Sequence, residues 1–464
     1  MGKTYKLLYV VVLCVVIALT AVFVGCKTTT AAATETTAAA TETTAAATET
    51  TAAATETTAA ATETTAAAGK VRTTAEREDV TATEPVSPKG VFPEGFLTGI
   101  KDVGVIPLKK YFIAFSNGDM GDVWRKTFVQ DMDEWGKKYV DKYGIKWVWS
   151  NSGNDSAKQL GQAESLVAQK PDILVISPNE TEALTPILDT AAKANIPVIA
   201  LDRELKADPG TGIYKSILSM DYYLNGVADG AALVEQLTKK YGSPKGNVVE
   251  LTGILGSSPG IQRSQGIRWV LKDYPDIRII ESRDASFDRQ KGYTLMKDLL
   301  QTYKAGEIDA VVCGCDATGL GALQAIKEAG RNELLGYING VDGDTAALEG
   351  ILSGEYGSSH ECSPYYGLPA FEYIIRYLNG EDIPTRIMMP TRWYYIDDDP
   401  VRKEALQKLV DYSKQNNLPF PPMFIGGQKE LTNPVKYYDK PWYEDKSKQD
   451  IEPFTTQSPI KITK

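Results

Sequence analysis

Short apolar runs alternate with amphipathic stretches at helical spacing through the middle of this chain, and the alternation runs through twice. In the first pass Tyr111–Ser116, Lys146–Ser150, Asp172–Ser177 and Ile196–Leu201 read as strands. Val123–Lys142, Ser156–Gln169 and Glu180–Lys193 read as the helices between them, with Leu160, Ala163, Leu166 and Val167 on one face of the second. A loop leads into a long helix, Asn225–Tyr241. In the second pass, strands at Asn247–Thr252, Arg278–Ser282, Asp309–Cys313 and Gly336–Val341 alternate with helices near Ile261–Lys272, Arg289–Tyr303, Gly319–Ala329 and Thr345–Leu352. Such alternation covers both faces of a mostly parallel sheet and requires right-handed crossovers. Two passes predict two doubly wound α/β lobes. A final helix, Tyr366–Asn379, is followed by an extended stretch, Thr391–Ile396, and by an amphipathic helix, Val401–Gln415. The Pro- and Tyr-rich segment from Pro419 to Lys464 either wraps over a lobe or offers a contact surface.

In an open sheet of this class the ligand crevice lies off the carboxyl ends of the strands. The stretch Ile196–Glu204 illustrates the consequence: a fully apolar strand ends abruptly in Asp202 and Arg203. The first strand ends in Ser116-Asn117-Gly118-Asp119, and Trp124-Arg125 opens the next helix. In the second pass the Gly/Ser loop Thr252–Gly260 leads to Gln262-Arg263, and Phe287-Asp288 begins a helix. Cys315-Asp316 and Asp342 end the third and fourth strands of that pass. Each residue has a plainer reading: Trp124 as core, Arg263 as a surface cap, Phe287 as the closure of a lobe's core. Their joint occurrence at equivalent strand ends favours one site drawn from both lobes, made of Asn117, Asp119, Trp124, Arg125, Asp202, Arg203, Arg263, Phe287, Cys315 and Asp342.

That set suits a polyhydroxylated, uncharged ligand. Each hydroxyl donates and accepts, so carboxylates take its proton while Arg and Asn donate to its oxygen, and such charge-assisted bonds are about twice as strong as neutral ones. Planar Trp and Phe cover C–H faces. A phosphate site would need a Gly-rich loop with Lys, but no GxxxxGK occurs and Pro259 removes a donor from the one Gly-rich loop. A single histidine, His360, leaves no Ser-His-Asp or Cys-His arrangement and no multi-histidine metal site. The net charge of −10, without a basic patch, argues against nucleic acid. Five of the negative charges, Glu35, Glu42, Glu49, Glu56 and Glu63, lie in a repeat outside the α/β region, so the folded part is only mildly acidic.

Lys3 and Lys6 precede an apolar run from Leu7 to Val24, and Gly25-Cys26 follows. This resembles the bacterial lipoprotein signal, which implies a signal peptide over 1–26 ending at Cys26, the lipidated residue; Phe23 departs from the aliphatic residue usual three places before that cysteine. An uncleaved membrane anchor is the alternative, and either one exports the rest of the chain. From Ala31 to Thr65 the heptapeptide Ala-Ala-Ala-Thr-Glu-Thr-Thr runs five times, without Leu, Ile or Val to fill a coiled-coil seam. Residues 27–107 therefore read as a solvated tether and linker, the sixty or so residues after Cys26 having a reach of about 45 Å as flexible coil.

From about Tyr111 to Ile396 the chain resembles the ribose/galactofuranose-type periplasmic sugar-binding proteins, the substrate-binding components of ABC importers. The matching pieces are Phe115-Ser116-Asn117 with Trp124-Arg125, Ile196–Arg203, Val248–Gly253 and Ile261-Gln262-Arg263, then Ser286–Gly292, Asp316 with Gly319–Gly330, and Val341-Asp342-Gly343. The resemblance implies a type I periplasmic binding protein fold: two Rossmann-like doubly wound lobes joined by a three-strand hinge, with crossings near Met220-Asp221, Cys362-Ser363 and Thr391-Arg392. Lobe one would span 108–219 with 363–391 and lobe two 220–362 with 392–425, leaving 426–464 as a C-terminal extension. Asp202, Arg203, Arg263, Phe287 and Asp342 fall on the family's sugar-contacting positions, and Trp124-Arg125 match its galactofuranose-like branch. Cys315 stands where the family usually has a sugar-binding Asn, which implies a hydroxyl pattern other than that of ribose. Cys362 falls near a polar Gln, and a Cys315–Cys362 disulfide is left to geometry. Tyr222, Tyr223, Tyr365 and Tyr366 either line the cleft or pack the hinge.

The implied protein is exported and lipid-anchored, in the periplasm or on the outer face of the cell membrane. It captures a monosaccharide or small oligosaccharide by hinge closure and delivers it to an ABC permease, without cofactor, metal or nucleic acid. A sensory binder feeding a histidine kinase or chemoreceptor is the alternative on the same fold. A glycosidase using Asp202 and Asp342 is a third reading, opposed by arginines expected to hold both carboxylates ionised.

Overall fold

The computed structural model describes residues 105–389, 391–395 and 399–422, all within one unit of the chain. The signal segment with Cys26, the heptapeptide repeat and the extension over 426–464 lie outside the described residues.

Twelve strands form two six-stranded sheets among the described residues. The first contains β1 (Phe112–Asn117), β2 (Lys146–Asn151), β3 (Ile173–Ser177), β4 (Val198–Leu201), β5 (Tyr214–Ser219) and β11 (Arg386–Met388), in the order β11-β5-β4-β3-β1-β2. The second contains β6 (Gly246–Thr252), β7 (Ile277–Asp284), β8 (Ala310–Cys313), β9 (Ile338–Asp342), β10 (Ser358–Glu361) and β12 (Trp393–Tyr395), in the order β12-β10-β9-β8-β6-β7. Every pairing is parallel except β10 with β12. The two orders are equivalent, each reversing direction after its first strand, and that reversal opens a crevice at the carboxyl ends of β1 and β3 and of β6 and β8. The chain passes between sheets after β5, after β10 and again between β11 and β12, so three crossings join two lobes.

The apolar runs form strands because both sheet faces are buried. Ile113 and Phe115 of β1, Val175 of β3 and Ile199 of β4 face one core, whereas Ala114, Leu174 and Ala200 face the other. In the second lobe Val249 and Val311 face one core and Val248 and Val312 the other. This two-residue alternation within wholly apolar runs is the mark of a parallel sheet covered on both sides.

Between the strands lie α1 (Val123–Tyr143), α2 (Ser156–Ala168), α3 (Thr181–Leu184), α4 (Ile187–Lys193), α5 (Tyr222–Tyr241), α6 (Ser258–Leu271), α7 (Arg289–Thr302), α8 (Asp316–Glu328), α9 (Thr345–Ser353), α10 (Gly367–Leu378) and α11 (Pro400–Gln415). Helix α1 starts where Asp122 accepts the Arg125 N–H at 2.6 Å and stops at Gly144, whose φ of 65° is left-handed. The helix expected over Glu180–Lys193 is two pieces, since Pro186 interrupts it. Strands β5, β10 and β11 were not foreseen: β5 falls in the expected loop before the long helix, and β10 is the polar sequence Ser-Ser-His-Glu.

Candidate functional site

The strand ends of both lobes converge on one cleft. Lobe one supplies Asp122, Trp124 and Arg125 from the start of α1, and Asp202 and Arg203 from the end of β4. Lobe two supplies Pro259 and Arg263 from α6, Phe287 from before α7, Cys315 from the start of α8 and Asp342 from the end of β9. Tyr222 and Cys362, beside the first two crossings, complete the wall. Eight of the ten residues selected by sequence thus line one cavity.

The other two lie beside it. Asn117 is buried and donates its amide to Asn151 Oδ1 at 2.9 Å and to the Asp119 carbonyl. Asp119 accepts from the Met120 and Gly121 N–H groups at 2.7 and 3.0 Å, closing the loop after β1. In this structure both shape the loop that carries Asp122. Asp122, Tyr222, Pro259 and Cys362 join the wall beyond that set. Of these, Tyr222 and Cys362 were already flagged near the expected crossings, and Asp122 carried a readable sign, an Asp placed as N-cap before an amphipathic run.

Asp202 holds the centre of the lobe-one wall. Its carboxylate accepts from Arg125 at 2.6 Å and from the Tyr222 hydroxyl at 2.5 Å, and Arg203 Nε stands 3.7 Å away. Arg125 also donates to Ser177 Oγ at 2.6 Å, and its guanidinium lies 5.1 Å from the Trp124 ring centroid. Arg203 donates to the Asn179 carbonyl at 2.8 Å; burial, and then the neighbouring Arg125 charge, lower its pKa to about 10. Across the cleft Arg263 donates to the Gly314 carbonyl at 2.6 Å and stands 3.7 Å from Asp342. The Phe287 ring lies between the lobes' arginines, 5.7 Å from Arg203 and 5.9 Å from Arg263.

Burial pushes the Asp342 carboxyl well above the usual range, and Arg263 at 3.7 Å offsets this only in part. This corrects the expectation that paired arginines would hold Asp342 firmly ionised: desolvation outweighs a loosely placed counter-charge. Asp316, next to Cys315, does not line the cavity. It accepts from the Gly343 and Asp344 N–H groups, both at 2.9 Å, and from Ser359 Oγ at 2.5 Å, bracing the loop that presents Asp342.

Three lining residues adopt a left-handed backbone without being glycine: Asp202 (φ 62°), Phe287 (φ 60°) and Asp342 (φ 123°). Such conformations cost on the order of 1–3 kcal/mol each and persist where the surroundings over-determine them, often at ligand clamps. All three close the cleft at strand ends.

The lips of the cleft meet. The Thr181 N–H donates to the Gly256 carbonyl at 2.9 Å, the Glu204 N–H to Ser258 Oγ at 2.9 Å, and the Gln262 amide to Glu204 Oε2 at 2.9 Å. Cys313, Cys315 and Cys362 are free thiols, which settles the open disulfide against formation. Of the four tyrosines flagged near the crossings, Tyr222 lines the cavity, whereas Tyr223, Tyr365 and Tyr366 pack in cores. His360 lies in β10, 3.0 Å from Asp229 and edge-on to Trp393.

Residues 113–382 match the periplasmic binding protein domain family. A xylitol-binding protein of Mycolicibacterium smegmatis is 32% identical over 306 residues, covering 62% of this chain and 82% of its own. A galactofuranose-binding protein of Escherichia coli is 31% identical over 274 residues, covering 59% of this chain and 84% of its own. Among solved structures, the periplasmic binding component of an arabinose ABC transporter from Shewanella sp. ANA-3, bound to L-arabinofuranose, superposes with a TM-score of 0.57. It is 26% identical and covers 66% of this chain and 96% of its own.

Proposed function

The chain belongs to the periplasmic binding protein domain family, and from that membership we propose that it captures a sugar between its two lobes by hinge closure and passes the closed form to an ABC permease. The observation that carries this reading is the cleft wall itself. Both lobes contribute a carboxylate and at least one guanidinium to a single cavity, with Trp124 and Phe287 beside them. Alternating acceptors, donors and flat apolar faces are what a ring of hydroxyls and C–H groups needs. The relatives' named ligands, a polyol and furanose sugars, support the same class.

The ten residues selected by sequence divide in this proposal. Trp124, Arg125, Asp202, Arg203, Arg263, Phe287, Cys315 and Asp342 face the ligand, and Asn117 and Asp119 hold the loop beneath. The protein is a binder and not an enzyme. Asp202 already accepts from Arg125 and Tyr222, leaving it poorly placed to take a proton from water or to attack an anomeric carbon. On sequence grounds Cys26 carries the lipid, and residues 27–107 tether the lobes outside the cell membrane.

The test is a thermal-shift screen of the full chain against pentoses, hexoses, galactofuranose, inositols and short oligosaccharides. A bound sugar at 100 times its Kd adds about 2.7 kcal/mol, which appears as a raised Tm. A screen in which no member raises Tm, with mass spectrometry finding no carried-over sugar in the purified protein, would overturn the proposal.

A further inference from the structure

The cavity holds fewer free hydrogen-bonding groups than its composition suggests. Asp202 is occupied by Arg125 and Tyr222. The Trp124 indole N–H is spent on the Cys362 carbonyl, and Tyr222's hydroxyl on Asp202. Asp122 presents its carboxylate at the wall, with Oδ1 accepting the Arg125 N–H, and three further groups remain for a ligand. Arg203 Nε and Arg263 Nε are buried and make no hydrogen bond among the described residues, and Asp342 has Arg263 only at 3.7 Å. Three convergent groups suit two or three neighbouring hydroxyls.

The rest of the lobe-two wall is apolar. Cys315 is the N-cap of α8: its sulfur accepts the Thr318 N–H at 3.5 Å and its thiol points to the Phe287 carbonyl at 3.5 Å. A thiol is a weak donor and acceptor to begin with, and this one is turned toward its own backbone. Cys315 packs with Phe287 and Ile254 in a small apolar cluster that borders the cavity. Cys362 and Pro259 add no strong polar group. A hydroxyl placed against this face would leave water without a partner.

Building on the sugar-binding reading, we propose that the ligand is a deoxy sugar, recognised through two or three adjacent hydroxyls by Arg203, Arg263 and Asp342, with a deoxygenated carbon or its methyl group seated against Phe287 and Cys315. Cys315 is then a specificity-determining residue. Since an apolar pocket rejects an added hydroxyl by only about 10²-fold, the discrimination to look for is a factor of about 10–100.

The experiment titrates the full chain calorimetrically with matched pairs: D-fucose and D-galactose, L-rhamnose and L-mannose, 2-deoxy-D-ribose and D-ribose, and the deoxy or hydroxylated counterpart of any sugar that raised Tm. The expected result is at least one pair in which the deoxy member binds about 10–100-fold tighter. Cys315→Asn, which retains helix-capping ability and adds an amide, should shrink or reverse that ratio; Cys315→Ser is the smaller change, also a good cap. Hydroxylated members binding as tightly as their deoxy partners throughout would overturn the inference while leaving sugar binding intact. A deoxy preference unchanged in both folded variants would overturn the role of Cys315. Failure of every sugar, deoxy or not, would instead bring down the sugar-binding reading itself.

Discussion

Glu361 and Arg392 form a bidentate ion pair beside the hinge, Oε1 accepting at 2.5 Å and Oε2 at 2.8 Å, with both side chains buried. Glu361 ends β10 just before the second crossing, and Arg392 follows the third. The pair therefore fastens two interlobe strands to each other. Arg392 also donates to the Pro422 carbonyl at 3.2 Å, drawing in the tail.

Removing one member strands the other in a desolvated site, which typically costs about 3–5 kcal/mol, whereas replacing both with apolar residues is often neutral. Glu361→Gln is expected to lose stability on that scale in urea unfolding, and Glu361→Leu with Arg392→Met to recover most of it. A loss below about 1 kcal/mol in the single variant would mean that the pair is not the fastening described.

The Phe287 ring depends on a missing side chain. A Cβ on Gly253 would lie 1.9 Å from two of the ring's carbons, so the ring has no room unless residue 253 is glycine. Gly253→Ala should displace Phe287 from between the two arginines and lower sugar affinity by roughly 10-fold or more, in keeping with a loss of about 1.4 kcal/mol. Calorimetry on the folded variant decides: unchanged affinity would remove Phe287 from the site.

These two cases show what the sequence made legible. Strand β4 and its exit into Asp202-Arg203 were readable because an apolar run buried on both faces needs no knowledge of its neighbours. Strand β10 was not. Its four side chains are polar and yet buried, because partners distant in sequence satisfy them: Asn339 for Ser358, Asp316 for Ser359, Asp229 for His360 and Arg392 for Glu361. The same holds at the site. Arg203, Arg263 and Phe287 stood at recognisable strand ends, but Asn117 and Asp119, equally well positioned in the sequence, bond to their own loop and, for Asn117, to Asn151 of β2. The positive φ of Asp202 and Asp342 is likewise imposed by surroundings that no local pattern records.

Asp131 makes stability depend on pH. Its carboxyl is buried in α1, accepts the Gly367 N–H at 2.5 Å through one oxygen and has no hydrogen-bond partner among the described residues for the other. Burial raises its pKa to about 8, against about 3.9 in an unfolded chain. Between those values the folded state holds a proton that the unfolded state has released. Stability therefore falls as pH rises through that window, by up to about 1.4 kcal/mol per unit, and levels off above it. Asp131→Asn keeps an acceptor for Gly367 and cannot ionise. Urea unfolding at pH 5, 6.5 and 8 should show the wild type losing stability relative to the variant as pH rises. Parallel curves would mean that Asp131 is ionised in the folded protein.

Near its end the described tail places a residue in the opposite lobe's core. After α11, which packs on α9 of lobe two, the Leu418 and Pro419 carbonyls accept from Thr345 at 3.1 and 2.8 Å. The Phe420 carbonyl then accepts the Tyr365 hydroxyl at 3.0 Å, and the Phe420 side chain is buried in the cluster that holds Phe128 and Tyr366. The tail thus adds a noncovalent link alongside the three crossings, formed while the lips of the cleft are in contact. Phe420→Ala should cost about 3–5 kcal/mol, as for other buried aromatic truncations. Because the link joins the lobes outside the cleft, the variant is also expected to change sugar affinity without altering any residue of the cleft. Calorimetry and urea unfolding on the same sample separate the outcomes. A stability loss with unchanged affinity would make Phe420 a core residue alone, and a shift in both would make the tail part of the closing mechanism.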